Sequence, residues 1–328
     1  MSGLTPPVNT NPPSQISYAP AMLQPTAVHY TERRRRQRRQ HEFCRTLARQ
    51  AVRSLYQELV LYPKPGLVSL IDNGSHEDMD AATFLRSLFA LRHYFFRIAD
   101  AARSGASFNV LRDLGIDAER RMLRATGGVN THRGAIFCLG MLCAAMASCH
   151  AQGIALSPPA IRANLLIQWG DDLTAHSAVA SETASGTATR NLLSNGLRVA
   201  ARHAVGGARE EGALGFPSLF DIALPQLQAT LDAGRDWHCA KVDSLFALMA
   251  HVSDTNVYHR GGSAGASLVQ NRSRHFLACG GTGDAAWLAR AEACHHEFVR
   301  HRLSPGGAAD LLAAACLVQA ICRGGSRT

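Results

Sequence analysis

From about Glu42 onward the apolar residues of this chain recur at three- and four-residue steps, a spacing that builds helices and leaves almost nothing for strands. Leu47, Ala51, Leu55 and Leu59 share one helical face, and Phe84, Leu88, Leu91, Phe95 and Ile98 form a second stripe. Similar runs occupy Ala135–Ser148, Pro159–Trp169, Leu192–Ala201, Leu219–Leu231, Val242–Val252, Ala285–His301 and Ala308–Cys322. Alternating runs of Val, Ile, Thr and Tyr are almost absent. The pattern predicts an all-α fold, one large multi-helix domain of about nine to twelve helices with little or no sheet.

Length and charge bound what such a domain does. The 328 residues are enough for one large core or two smaller ones, and no long linker divides the helical part. Aromatics are only 6%, so Leu and Ala must do most of the packing. No stretch reaches the roughly eighteen uninterrupted apolar residues of a membrane span; Ala135–Ala147 comes nearest and reads as a buried helix. The net charge of +9 is uneven: residues 1–50 hold eight Arg, no Lys and two Glu, which leaves +3 for the other 278. A nearly neutral folded part does not call for a nucleic-acid partner. Nine cysteines without a C-x-x-C pair read as structural thiols in a reducing compartment, and a cytoplasmic location is expected.

Residues 1–30 contain no charged side chain and six of the thirteen prolines, a composition that cannot bury enough surface to order itself. The run Arg33–Arg39 follows, without the apolar stretch that an export signal needs. It reads as the solvated start of a helix or as an extension upstream of the domain. A nucleic-acid or acidic-surface tether is the alternative, but no aromatic residues interleave for base stacking. Residues 1–41 are therefore assigned to a Pro- and Arg-rich, disordered extension and residues 42–328 to a catalytic domain.

Five polar, glycine-flanked segments interrupt the helical runs, and loops of this kind on a rigid scaffold are where binding and catalysis tend to reside. The first, PKPGLVSLIDNGSHEDMD, spans Pro63–Asp80 and contains Lys64, one of only two lysines in the chain. Its prolines stop the preceding helix, Gly66 permits a tight turn, and His76, Asp78 and Asp80 alternate before the next helix. One carboxylate there is explained by helix capping. Two beside a histidine also suit Mg²⁺ held on a triphosphate. The second segment, TGGVNTHRG (Thr126–Gly134), sets Asn130 and Thr131 to cap a helix opening near Arg133. Free N–H groups there, with His132 and Arg133 as added donors, make an anion site. The third, SDTNVYHRGG (Ser253–Gly262), offers Asp254, Asn256, His259 and Arg260 on what reads as a loop. SPGGAAD (Ser304–Asp310) is another glycine-rich helix start, with Gly306 and Gly307, and GGAREEGALGFP (Gly206–Pro217) packs Arg209, Glu210 and Glu211 between glycines. The chain has no P-loop, no zinc-protease motif and no Rossmann fingerprint.

Taken together, PKPGLV with NGSHEDMD, GGVNTHRGAIF, AREEGALGFP, SDTNVYHRGG and SPGGAADLLA resemble, in order and over about Ala51–Cys322, the triphosphoribosyl-dephospho-CoA synthase family. The likeness is greatest to the branch that serves malonate decarboxylase, whose sister branch serves citrate lyase. Arg133 stands where the family pattern has lysine, which keeps the charge and changes its geometry. The resemblance implies a transferase that joins ATP to 3′-dephospho-CoA and releases adenine. Its product would be the precursor of the prosthetic group on the decarboxylase acyl-carrier subunit, handed on to a transferase that loads that subunit.

Glycosyl transfer at the ribose C1′, with no phosphoryl transfer, needs a carboxylate near the developing oxocarbenium ion, a general base, a donor to the departing base and cations for the phosphates. On that footing Asp254 or Glu211 is the base or oxocarbenium stabiliser and His76 the acid toward adenine. Lys64, Asn130, Thr131, His132, Arg133, Arg209, Asn256, Arg260, Gly306 and Gly307 hold substrate, and Asp78 and Asp80 hold Mg²⁺. No organic cofactor, nucleic acid or membrane is expected, and a homodimer through an apolar helix face is open. The same ingredients would also serve an Mg²⁺-dependent helical hydrolase of nucleotide or ADP-ribose substrates. A scaffold using Arg33–Arg39 is the rival of another class.

Overall fold

The computed structural model describes residues 2–3, 27–185 and 207–324. The helical run expected at Leu192–Ala201 lies outside the described residues, as does nearly all of the segment expected to be disordered before Ala27. The described chain is all-α, with no strand among the described residues. It divides into two compact units, Met1–Arg38 and Arg39–Thr328. In the first, the chain is helical from Ala27, and Glu32–Arg38 are exposed. Helix α1 is Ala27–Leu59, so the boundary set after residue 41 falls inside one helix.

In the larger unit, α2 (Ala81–Leu91) and α3 (Tyr94–Arg103) share the stripe from Phe84 to Ile98, which breaks at Arg92–His93 rather than running through one helix. α4 (Phe108–Ala125), α5 (Arg133–Gln152), α6 (Pro158–Ser185) and the short α7 (Ala208–Ala213) follow. A π-turn at Ser218–Ala223 leads into α8 (Leu224–Asp232), then α9 (Trp237–His251), α10 (Thr255–Ala278), α11 (Trp287–Arg300) and α12 (Gly306–Gly324). Two of these helices, α4 and α10, lie in stretches whose apolar spacing was too weak to mark them.

The core is built around α5, whose residues are buried almost without a break from Ala135 to Cys149. Such a helix is apolar all round because neighbours cover every side; α3, α6 and α12 pack against it. The closest approach is at Gly140, where an added Cβ would run into Tyr94, whose hydroxyl donates to the Ile136 carbonyl at 2.9 Å. Two helices, Arg133–Gln152 and Gly306–Arg323, are long and apolar enough to cross a membrane, but 78% and 61% of their apolar windows are buried inside the protein. They are core helices. All nine cysteines are free; Cys138, Cys143, Cys149 and Cys316 are buried, as expected of structural thiols, and Cys322 is half-buried.

Candidate active site

The polar segments converge on one cleft. A cleft of about 1090 Å³ is lined by residues of all five segments, and Arg133, Thr255 and Gly306, the first residues of three long helices, lie on its wall. Helix starts carry unsatisfied N–H groups and partial positive charge; the Asp254 carboxylate meets those of the Thr255 and Gly306 helices, and the start at Arg133, without such a cap, favours an anionic ligand. The volume exceeds the few hundred to 1,000 Å³ usual for one drug-sized ligand. Two nucleotides fit such a space better than one.

The first segment forms one side. Gly66 turns with φ +70°, and a Cβ there would collide with the Leu303 carbonyl. Ser75 Oγ donates to that carbonyl at 2.6 Å. Lys64 is buried, and its ammonium donates to Glu58 Oε1 at 2.6 Å and to the Glu58 carbonyl at 2.9 Å. Burial lowers its pKa against the pull of Glu58. The lysine is thus half of a buried ion pair whose other member, Glu58, also lines the cleft. His76 is held between Ser304 Oγ on Nε2 (2.8 Å) and Arg260 Nη2 on Nδ1 (3.0 Å). Arg260 donates to Nδ1, so Nε2 carries the proton and donates to Ser304. Burial and the guanidinium both lower its pKa, which leaves His76 a weak candidate for an acid.

The expected carboxylate pair does not assemble. Asp78 lines the cleft, 62% exposed, with Oδ1 3.5 Å from His76 Nδ1. Asp80 lies outside the lining and caps α2, accepting from Thr83 N at 2.8 Å and Thr83 Oγ1 at 2.6 Å. Those bonds hold its carboxyl below the ordinary range. Among the described residues no group of three or more His, Cys, Asp or Glu is gathered to hold a metal. Mg²⁺ on a nucleotide needs only one or two carboxylates beside the phosphates, and Asp78 alone meets that.

At the start of α5, Asn130 Oδ1 accepts from Arg133 N at 3.1 Å, as expected of a cap. Thr131 does not cap: its hydroxyl donates to Ser87 Oγ at 2.8 Å. Ser87 Oγ in turn meets His132 Nδ1 at 2.6 Å. His132 is buried, and burial together with the nearby Lys64 pushes its pKa down to about 3. It enters the site as a neutral donor, not as the cation the sequence suggested. Arg133 reaches back to Glu119 (3.0 Å) while lining the cleft, and Arg209, outside the lining, shares the field of Glu119 and Arg133.

The third segment is helix rather than loop. Asp254 is the N-cap of α10, so Asn256, His259 and Arg260 stand on its first turns, and Gly262 (φ +59°) carries the kink that glycine allows. The Asp254 carboxylate is buried and accepts from Asn256 N (2.8 Å), Gly307 N (2.7 Å) and Ala308 N (3.2 Å), tying the starts of α10 and α12 together. Burial raises its pKa, opposed by those three donors. Glu211 accepts from Ser218 N (3.2 Å) and Ser218 Oγ (2.6 Å), and burial raises it too. Asn256 faces Gly306 across the cleft mouth.

Among the lining carboxylates, Glu58 and Asp310 were not among the expected site residues. Asp310 abuts Gly134 at the start of α5; burial, then Glu58 and Asp254, push its carboxyl well above the ordinary value. The signal for Glu58 was a carboxylate set between Leu55 and Leu59 on an apolar face. Asp310 closes the SPGGAAD segment.

A helical scaffold whose helix starts, arginines and buried carboxylates meet around one large polar cleft is that of an enzyme acting on anionic substrates. Residues 44–328 match the family of ATP:dephospho-CoA triphosphoribosyl transferases. A probable 2-(5″-triphosphoribosyl)-3′-dephosphocoenzyme-A synthase of Acinetobacter calcoaceticus is 40% identical over 79% of this chain and 85% of its own length. The synthase of Pectobacterium atrosepticum is 39% identical over 79% and 84%, and that of Klebsiella pneumoniae 37% over 82% and 91%. No solved structure gives a significant match. The chain belongs to the ATP:dephospho-CoA triphosphoribosyl transferase family and is a transferase.

Proposed function

We propose that the protein transfers the triphosphoribosyl group of ATP to the 2′-hydroxyl of 3′-dephospho-CoA and releases adenine. The observation that carries this is the meeting of all five segments around one cleft of about 1090 Å³, large enough for two nucleotides. The C1′–N9 bond breaks with its electron pair on the purine, an O2′–C1′ bond forms, and the hydroxyl proton ends on adenine. Arg133 and Arg260 supply cations for the phosphates, with Arg209 adding its charge beside Arg133. Asn130, Asn256 and the glycines let backbone and amide groups approach. Asp254 or Glu211 stands opposite the developing oxocarbenium charge, where a fixed carboxylate is most effective. Mg²⁺, bound on the triphosphate, would neutralise phosphate charge, and Asp78 is the carboxylate placed to meet it.

The finer reading places the product in the malonate decarboxylase pathway, as precursor of the acyl-carrier prosthetic group. It rests on the resemblance of the motifs to the branch that serves malonate decarboxylase. The test is chromatographic measurement of adenine from ATP and Mg²⁺, with and without 3′-dephospho-CoA. Release that needs both substrates is expected. Release from ATP alone would replace the transferase reading with hydrolysis, and no release would remove it.

A further inference from the structure

One buried polar atom in the described cleft has no partner: His132 Nε2. Its ring is 2% exposed, and Nδ1 is already bound by Ser87 Oγ. With Thr131 Oγ1 donating to Ser87 Oγ, the Ser87 hydroxyl has its own proton to give to Nδ1, the tautomer that leaves the imidazole proton on Nε2. An unmet buried donor costs about 1–3 kcal/mol, so a protein that keeps one on a ligand cleft has a ligand acceptor for it.

The surroundings select the acceptor. Phe84 sets its ring edge-on to the imidazole at 4.9 Å, and Leu67, Val68 and Met79 line the same cleft. The charged neighbours cancel: Lys64 is paired with Glu58. Burial drives the imidazole toward its neutral form and pushes the Asp310 carboxyl above its ordinary pKa. A triphosphate needs cations less buried than Lys64, and these stand on Arg133, paired on one side with Glu119, and on Arg260. A neutral donor among apolar side chains suits a flat, uncharged heteroaromatic with a ring acceptor.

Resting on the transferase reading above, we infer that the adenine of ATP sits against Phe84 and Met79 with a purine ring nitrogen accepting from His132 Nε2, which makes His132 a catalytic residue and Ser87 and Thr131 its positioning residues. As C1′–N9 breaks, the electron pair moves into the purine and the bond from Nε2 strengthens. His132 keeps its proton throughout; the proton that adenine gains comes from the 2′-hydroxyl, through a carboxylate of the cleft. This moves leaving-group activation from His76, whose two nitrogens are already engaged, to His132.

The test pairs two variants with two ATP analogues. His132→Asn keeps an amide at the Nδ1 position, facing Ser87, and deletes the Nε2 donor; His132→Gln keeps a donor at the Nε2 position. With ATP, the Asn variant is expected to release adenine about 10²–10³ times more slowly, the loss seen when one transition-state donor is removed. The Gln variant is expected to recover much of that, with KM for 3′-dephospho-CoA unchanged in both. With 7-deaza-ATP or 3-deaza-ATP, whichever lacks the contacted nitrogen, wild type and Asn variant are expected to turn over at the same rate, because the bond is already gone. An equal penalty for the Asn variant on ATP and on both analogues would show a merely structural histidine and overturn the contact. So would full activity of the Asn variant. Wild type inactive on ATP with 3′-dephospho-CoA would instead sink the transferase reading itself, an outcome seen before any variant is compared.

Discussion

The starts of α5 and α12 read alike in sequence, each a glycine pair followed by an apolar helix, yet the structure uses them in opposite ways. At α12 the Asp254 carboxylate occupies Gly307 N and Ala308 N, and it lies only 3.0 Å from where a Gly307 Cβ would be. Those glycines admit an internal staple. At α5 the cap is the neutral Asn130, and Gly127 and Gly128 (φ +67° and +93°) face open space. Asp310, which abuts Gly134 in the first turn of α5, has its carboxyl pushed above its ordinary pKa, and Glu119 pairs there with the Arg133 side chain. A negative cap cancels the positive end of a helix, and a neutral one leaves it for a ligand. Glycine at a helix start permits close approach, and tertiary structure decides whether the visitor is another part of the chain or a substrate.

The largest expected effect tests the staple. Asp254→Ala strands three N–H groups at two helix starts, that of Ala308 buried, and is expected to cost about 2–4 kcal/mol in urea unfolding. Asn130→Ala, removing one exposed neutral cap, is expected to cost about 1 kcal/mol. Equal losses would break the contrast between the two starts. If Asp254 is also the oxocarbenium partner, Asp254→Asn, which keeps an acceptor, will lose turnover far more than stability.

A smaller effect comes from His132, beside the α5 start. Its folded pKa, about 3, lies below the ordinary histidine value of 6.5, so the unfolded chain binds more protons between those limits. Stability from this group is therefore present above pH 6.5 and is lost as pH falls toward 3, by up to about 1.4 kcal/mol per pH unit. Urea midpoints at pH 7, 6 and 5 should fall steadily in the wild type, and the fall should be shallower in His132→Asn. An identical slope in the variant would mean that His132 is not the buried neutral group.

The sequence carried the fold because periodicity is a local signal: Leu47, Ala51, Leu55 and Leu59 are all buried along one face of α1. It also marked the segments that meet at the cleft, since glycine, proline and charge among apolar runs are visible without a structure. Partner choice was not visible. Lys64 read as a phosphate ligand until Glu58, six residues earlier and on the buried face of α1, proved to hold it. Asp254 read as a loop carboxylate because two of its three donors lie more than fifty residues away, at Gly307 and Ala308. Ser87, which orients His132, gave no signal at all; a serine on an amphipathic helix is ordinary until a histidine forty-five positions on meets it.

The smallest expected effect separates the two carboxylates that sequence had paired. Asp80 Oδ1 accepts both bonds from Thr83 and its carboxylate lies outside the cleft lining, so Asp80→Ala should lower the melting temperature slightly and leave the Mg²⁺ requirement of adenine release where it was. Its carboxyl is held below its ordinary pKa, so the cap persists above that value and is lost as pH falls through the lowered one. Asp78 makes no cap, is largely exposed and faces the cleft. Asp78→Ala should therefore leave the melting temperature unchanged and raise the Mg²⁺ concentration for half-maximal release several-fold, the loss of one oxygen contact to a nucleotide-bound ion. A titration of Mg²⁺ against adenine release in both variants decides it. If the two variants shift the requirement equally, the carboxylates act as the pair the sequence suggested, and Asp80 must leave Thr83 when substrate binds. If neither does, the ion is held by the phosphates and water alone, and the cleft's contribution to it is the field of the helix starts.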